Sequence, residues 1–273
     1  MSTFSVPTLA DMIAQGQTPE VLFWVGCAGS FDDRAKRITK AIARILHHCE
    51  VPFAVLGAEE SCTGDPAKRA GNEFLFQMQA AQNIAVLNGY EVKRIVTGCP
   101  HCFNVLKNEY PELGGNYAVM HHTQFIRDLI DQGRLKVADG NPFKGRRITF
   151  HDPCYLGRGN GEYAAPREVL STLDAELVEM RRCKQNGLCC GAGGAQMFKE
   201  AEKGNREVNH ERTDDVLDAN PQVVATGCPF CNTMMTDGVK NAERESSIDV
   251  KDIAELIAEA ADLVPSSTSQ DTP

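Results

Sequence analysis

The segments VTGCPHCFNVLK (96–107) and ATGCPFCNTMMT (225–236) stand 129 residues apart (99 to 228, 102 to 231) and read alike: a short β-branched run, Thr-Gly, then Cys-Pro-x-Cys and a helical continuation. Proline suits the first position of a helix, where an amide has no intrahelical partner to lose. Pro100 and Pro229 therefore mark two strand-to-helix junctions, with Cys99 and Cys228 as caps and Cys102 and Cys231 in the first turn. Both thiols of each pair then face a helix N-terminus, whose free amides and dipole lower thiolate pKa and stabilise a bound anionic cluster.

Further cysteines follow the same spacing. Cys27 pairs with Cys154 (127 apart) and Cys62 with Cys190 (128 apart), so the offset drifts by only two residues along the chain, the mark of an internal duplication. Around the junctions, β-rich runs VLFWV (21–25), PFAVL (52–56), RIVT (94–97), RITF (147–150), ELVEM (176–180) and VVAT (223–226) alternate with helical spacing from Asp32 to His48, Pro66 to Leu87 and Arg206 to Leu217. That alternation predicts an α/β fold: two tandem, repeat-related lobes with largely parallel sheets. ADGNPFKGRR (138–147), rich in Gly, Pro and charge, reads as their connection. The expected division is a first cysteine-rich domain over 1–137, a second over 138–264, and a disordered tail, PSSTSQDTP (265–273), which lacks apolar anchors.

At 273 residues with 42% apolar, the chain can bury one large core or two of ordinary domain size. A net charge of -9 argues against a nucleic-acid partner, which needs clustered Lys and Arg to displace counterions. The N-terminus lacks a basic start followed by an apolar stretch, and no run reaches the roughly eighteen apolar residues of a spanning helix. A cytoplasmic protein is expected. Eleven cysteines are an odd number in a compartment where disulfides rarely persist, so metal or redox chemistry is the better account of them.

The duplication is imperfect at one point. LCCGAGG (188–194) offers adjacent thiols Cys189 and Cys190, whereas the first half has Ser61 and Cys62. Adjacent residues on a regular strand point to opposite faces, so both thiols can serve one site only if the backbone turns sharply, as Gly191, Gly193 and Gly194 permit. The second half thus offers Cys154, Cys189, Cys190, Cys228 and Cys231, one more thiol than a tetrahedral zinc site uses. Cys27, Cys62, Cys99 and Cys102 in the first half suit zinc or a four-cysteine iron–sulfur cluster equally.

These elements resemble the cysteine-rich, or CCG, domain family: HDPCYLGR (151–158), LCCGAGG (188–194) and TGCPFC (226–231) follow its order of Cys, CCG and CxxC. The family includes the B subunit of heterodisulfide reductase and the iron–sulfur subunits of lactate-, glycolate- and glycerol-3-phosphate-oxidising systems. ESCTGDPAKRAGNEFLFQ (60–77) and TGCPHCFNVLKNEYP (97–111) look closest to the branch linked to electron-transfer flavoprotein. The resemblance runs from about Val21 to Leu263. It implies facing α/β lobes and, at each full motif, five cysteines on a non-cubane four-iron (4Fe-4S) cluster. On this chain it implies such a cluster at Cys154, Cys189, Cys190, Cys228 and Cys231, and an iron–sulfur cluster or zinc at the first site. In heterodisulfide reductase a disulfide is reduced between two such clusters. Ser61 departs from the pattern, since serine oxygen is a harder ligand for iron, and an equivalent pair of clusters is not expected.

The resemblance further implies an oxidoreductase component that passes electrons between a dehydrogenase or flavoprotein and a further acceptor, with thiol or disulfide chemistry open to its cluster. Many relatives carry a ferredoxin-like CxxCxxCxxxCP segment or membrane helices on the same chain. Neither is present here, so a flavoprotein or ferredoxin-like partner is expected, along with any membrane association. The competing reading is a zinc-stabilised or metal-free interaction module of a redox complex.

Other residues read more plainly. Cys49 and Cys183 lack repeat counterparts and are expected to pack or be incidentally exposed. His101 is matched by Phe230 and is therefore no obligatory ligand. His151, just before Asp152-Pro153-Cys154, suits positioning of the loop or donation to a cluster sulfur. His121 and His122 suit either the cleft between lobes or helix capping. Arg34, Arg37, Lys68 and Arg69 read as a solvated helix face. CCGAGGAQ does not complete GxGxxG, so no bound dinucleotide or flavin is expected.

Overall fold

The computed structural model describes residues 5–200 and 203–264; the tail at 265–273, expected to be disordered, lies outside them. Strands β1 (Val21–Trp24), β2 (Phe53–Ala54), β3 (Arg94–Thr97) and β4 (Ala118–His121) form a parallel sheet in the order β2-β1-β3-β4. Strands β5 (Arg147–Phe150), β6 (Glu176–Leu177), β7 (Val223–Thr226) and β8 (Asp249–Asp252) repeat it as β6-β5-β7-β8. The expected pair of parallel α/β lobes is present. β1 and β7 are buried at every residue, because helices cover both faces of a parallel sheet. This is why VLFW and VVAT read as continuous rather than alternating runs.

The sequence reading differs from the structure at the sheet edges. PFAVL and ELVEM keep only two strand residues each, and β4 (AVMH) and β8 (DVKD) carry too little apolar character to announce themselves. Both are half-exposed edge strands ending in a helix cap, His121 and Asp252. The single helix expected from Pro66 to Leu87 breaks into Asp65–Arg69 and Glu73–Gly89. Gly71 turns left-handed (φ +86°), and the Asn72 side chain accepts from the Leu75 amide at 3.1 Å to start the second helix.

Helices Asp33–His48 and His122–Asp131 from the first half, and Ala164–Ser171 and Ile253–Ala260 from the second, lie between the two sheets and share one core. Ile42, Ile45 and Leu129 pack there with Val169, Leu256 and Ile257. The other face of the first sheet packs Leu22 and Trp24 under Glu73–Gly89, and that of the second packs Val224 under Val208–Ala219 and Pro229–Asn241. The lobes are therefore fused through a common inner layer. Arg34 helps join them, with its guanidinium on both oxygens of Glu255 (2.6 and 2.7 Å) and on the Val250 carbonyl (2.9 Å). Of the helix-face cations only Arg37 is exposed; Lys68 and Arg69 pair with Glu109.

Ile257 is fully buried in this shared layer. Ile257→Ala is expected to cost about 2–5 kcal/mol and to shift urea unfolding of the whole chain as one transition. Two separated transitions, with only one shifted, would show that the halves fold independently.

Candidate metal centre

In a parallel α/β sheet, ligands collect beyond the carboxyl ends of two neighbouring strands whose connections leave to opposite sides. Here these are β1 and β3 in one lobe and β5 and β7 in the other. Cys27 follows β1, Cys99 follows β3, Cys154 follows β5 and Cys228 follows β7. Cys99 and Cys228 are extended caps followed by Pro100 and Pro229, which open helices Pro100–Asn104 and Pro229–Asn241. Cys102 and Cys231 lie buried in the first turns, as the sequence predicts.

In the first lobe, Cys27, Cys62, Cys99 and Cys102 line one crevice of about 320 Å³. The start of the short helix Gly26–Phe31, which carries Cys27, is pinned by Glu60, whose carboxylate accepts from the amides of Val25 (3.0 Å) and Gly26 (2.6 Å). Gly26 has φ +78°, and a Cβ there would stand 3.3 Å from the Cys102 sulfur, so this approach of chain to thiol requires glycine. Burial pushes the Glu60 carboxyl up to about 7 against the pull of those two amides. Ser61 lies outside this crevice. Its hydroxyl donates to Asn83 Oδ1 at 2.9 Å, and Asn83 donates in turn to the Cys62 carbonyl (3.0 Å) and to Tyr110 (3.0 Å).

In the second lobe, the Cys190 and Cys231 sulfurs are 3.3 Å apart, in contact yet far beyond the ~2.05 Å of a disulfide. All eleven cysteines are free thiols. Cys189 interacts with the thiols of Cys154 and Cys190 and accepts from the Gly191 amide at 3.3 Å. Gly191 (φ +95°) supplies the sharp turn that brings adjacent thiols to one site. A ring nitrogen of His151 lies within 4.8 Å of both the Cys190 and the Cys231 sulfur.

The two sets meet. Cys99 interacts electrostatically with Cys102 and Cys27 on its own lobe and with Cys228 on the other, so the nine thiols form one interacting set across the lobe interface. Without metal they cannot all ionise. The Cys27 thiol holds Cys62 down to about 7; Cys102 and Cys228 hold Cys99 low; Cys154 and Cys190 hold Cys189 low. Their partners are pushed up in turn: Cys27, Cys102 and Cys154 chiefly by these thiol–thiol interactions, Cys190 likewise to about 12, and Cys228 first by burial. Negative charge thus alternates with neutral thiol, and only a bound cation could hold every sulfur as thiolate. Soft sulfur donors, amides aimed at sulfur and a water-poor setting fit an iron–sulfur cluster or zinc.

Of the remaining candidates, His101 lines the first crevice with its four cysteines, and the others fall elsewhere. Cys49 is core at the end of helix Asp33–His48, and Cys183 is half-buried outside both thiol sets. His121 and His122 are buried between the lobes: His121 Nε2 donates to the Gly227 carbonyl (3.0 Å), and His122 Nε2 meets Asp252 (3.0 Å). His101 is buried with Nδ1 on Asp65 (2.8 Å), its ring 4.4 Å from that of Tyr155 and edge-on to Phe230 at 5.4 Å. Asp65, Pro66 and His101 face Gly193, Phe198 and Phe230 across a second crevice of about 230 Å³ between the lobes.

The sequence reading overlooked Glu60, Asn83 and Arg212. Asn83 and Arg212 (83 to 212, again 129 apart) hold corresponding buried places on helices Glu73–Gly89 and Val208–Ala219, so the cysteine spacing could have found them.

Comparison with known proteins agrees with this geometry. The chain is 45% identical over 251 residues to the EtfAB:quinone oxidoreductase of Syntrophomonas wolfei, covering 90% of this chain and 35% of that protein. It is 45% identical to a probable iron–sulfur-binding oxidoreductase, FadF, of Bacillus subtilis (93% and 36% covered). It is 34% identical to a subunit of the dihydromethanophenazine:CoB–CoM heterodisulfide reductase of Methanosarcina barkeri (89% and 59% covered). The chain thus spans about a third of the length of the first two. The cysteine-rich domain pattern matches twice, over residues 21–107 and 148–236, each match running from the first or second residue of a lobe's opening strand through its CxxC helix start. With that pattern over most of its length and its cysteines gathered at the equivalent strand ends of both lobes, the chain belongs to the cysteine-rich (CCG) domain family.

Proposed function

We propose that the chain is the cytoplasmic iron–sulfur electron-transfer unit of an oxidoreductase that works with partner subunits. Cys154, Cys189, Cys190, Cys228 and Cys231 would hold a four-iron cluster of the non-cubane kind. Cys27, Cys62, Cys99 and Cys102 would hold a second metal centre, an iron–sulfur cluster or zinc. The observation that carries this reading is the convergence of five thiols at the ends of β5 and β7, two of them with sulfurs 3.3 Å apart. When bound, such clusters supply one-electron transfer.

The chain's own residues then have definite tasks. Cys99 and Cys228 cap helix starts, whose dipoles favour negative charge, the amides of Gly64 and Gly191 donate to Cys62 (3.5 Å) and Cys189 (3.3 Å), and burial of Cys228 and Cys231 keeps water away. Cys27, Cys62, Cys154 and Cys189 are partly exposed, the first two on the first crevice, and so stay open to an electron donor, or to a thiol or disulfide. Among the described residues, no helix is long and apolar enough to cross a membrane. A flavoprotein or ferredoxin-like subunit is proposed as donor or acceptor, with any membrane association through a partner. The relative named for EtfAB and quinone supports a flavoprotein on one side. The halves are proposed to divide at 137/138, on the stretch between the two sheets.

Stopped-flow mixing of the anaerobic, iron-loaded protein with a chemically reduced electron-transfer flavoprotein tests this role. The visible absorption of the protein should bleach within the mixing experiment and recover on adding a quinone. Iron- and sulfide-loaded protein that stays unbleached would contradict electron transfer from such a donor.

A further inference from the structure

Arg212 is the most unexpected side chain in the molecule: an arginine with no exposed surface, on helix Val208–Ala219. Burying a cation costs several kcal/mol unless it is paired and hydrogen-bonded. Its Nη1 donates to the Arg182 carbonyl (2.6 Å) and to Asp215 Oδ2 (2.9 Å), and its Nε donates to His151 Nδ1 at 3.0 Å. Compensation of its charge is incomplete. Asp215 also serves Arg182 (2.7 Å) and Arg181 (3.2 Å), and Arg182 reaches Glu211, so three guanidiniums share two carboxylates. Among the described residues, Arg212 Nη2 has no hydrogen-bond partner.

The contact with His151 gives this charge a direction. Guanidinium has only donors, so Nδ1 of His151 must be the accepting nitrogen and the imidazole is neutral with its hydrogen on Nε2. The His151 ring is itself buried, and one of its nitrogens is within 4.8 Å of the Cys190 and Cys231 sulfurs. The first site differs in charge: among the residues lining its crevice there is no guanidinium, and its buried imidazole, His101, is held by the acid Asp65 at 2.8 Å. At the matching helix position stands neutral Asn83, committed to Ser61, Cys62 and Tyr110, and the group that pins the Cys27 segment is an acid, Glu60.

We propose that Arg212, acting through His151, is a positioning residue that raises the reduction potential of the five-cysteine site and so makes the second lobe the electron sink of the chain. The proposal rests on the iron–sulfur reading above. Reduction adds negative charge to a group already surrounded by thiolates. A fixed positive charge, relayed by an imidazole held in one orientation beside the sulfurs, favours the reduced form over the oxidised one. A purely structural role, holding the Arg182 segment against the helix, would leave that balance unchanged.

The test is a potentiometric titration of the anaerobically reconstituted chain followed by paramagnetic resonance, after iron and sulfide analysis of each protein. Arg212→Gln should retain wild-type iron while the second-site midpoint falls by at least a tenfold change in the reduction equilibrium, about 59 mV for one electron. Arg212→Lys, which keeps the charge, should stay nearer the wild type. An Arg212→Gln protein with full iron and an unmoved midpoint overturns the proposal. Should Arg212→Gln fail to fold, His151→Gln carries the test, since it leaves the arginine–carboxylate cluster in place: a lowered midpoint supports the proposal and an unchanged one overturns it. Wild-type protein that takes up no iron or sulfide refutes the iron–sulfur reading instead, a failure visible before any titration begins.

Discussion

Cys189→Ser is expected to abolish the second-site cluster signal or convert it to that of an ordinary four-cysteine cluster, whereas Ser61→Ala should leave iron content at the wild-type level. The two residues differ by one atom and hold equivalent places in the duplication, yet their surroundings are opposite. Cys189 is where negative charge settles in the metal-free second site, with two thiols and the Gly191 amide directed at its sulfur. Serine there would offer a harder, more basic oxygen that soft metals bind less well. The Ser61 hydroxyl is already given to Asn83 at 2.9 Å and takes no part in lining the first crevice. Its removal deletes one hydrogen bond, worth about 0.5–1.5 kcal/mol, and no metal donor. Iron analysis with paramagnetic resonance on both variants checks this; equal iron loss in the two would make Ser61 a ligand.

A large effect on stability is expected from Asp252→Ala. This carboxylate is fully buried at the joint between lobes. It caps helix Ile253–Ala260 by accepting from the Ala254 amide (2.9 Å), while Glu255 reaches back to its own amide (2.9 Å). It also meets His122 Nε2 at 3.0 Å across the interface. Alanine removes the cap and strands a buried imidazole whose other nitrogen already lacks a partner. Together these losses are expected to cost about 2–5 kcal/mol, read as a lower urea midpoint for the whole chain. A change below about 0.5 kcal/mol, the range of an ordinary surface substitution, would mean that the interface does not depend on this pair.

The parts of the fold that the sequence makes legible are those where one residue type has one physical use. RIVT, RITF and VVAT are strands as read, since β-branched runs ending in Gly-Cys-Pro or His-Asp-Pro have little else to become. The Cys-Pro helix starts follow from the missing proline amide. Edge strands β4 and β8 stay hidden because half-exposed strands need no apolar run. The division of the thiols into two sets is legible through the repeat, but the meeting of Cys99 with Cys228 is not. A repeat shows which residues correspond and says nothing of which faces of the two copies touch. The shared inner helix layer brings those strand ends together, and it is built from long-range packing. Glu60, Asn83 and Arg212 were overlooked for a related reason: a polar residue on a helix or loop reads as solvated until its burial is known.

The duplication thus has a physical consequence beyond symmetry. Each lobe alone would present its thiols at an open sheet end, half exposed to water. In the fused pair Cys99, Cys102, Cys190, Cys228 and Cys231 are buried, while Cys27, Cys62, Cys154 and Cys189 stay partly exposed. The most direct test of the account is anaerobic purification of the chain with iron, acid-labile sulfide and zinc measured on the same sample. The account predicts iron and sulfide in roughly equal amounts, at about four of each for a filled four-iron site, with loss of that portion in Cys228→Ser. Stoichiometric zinc with neither iron nor sulfide, persisting after anaerobic reconstitution, would contradict it.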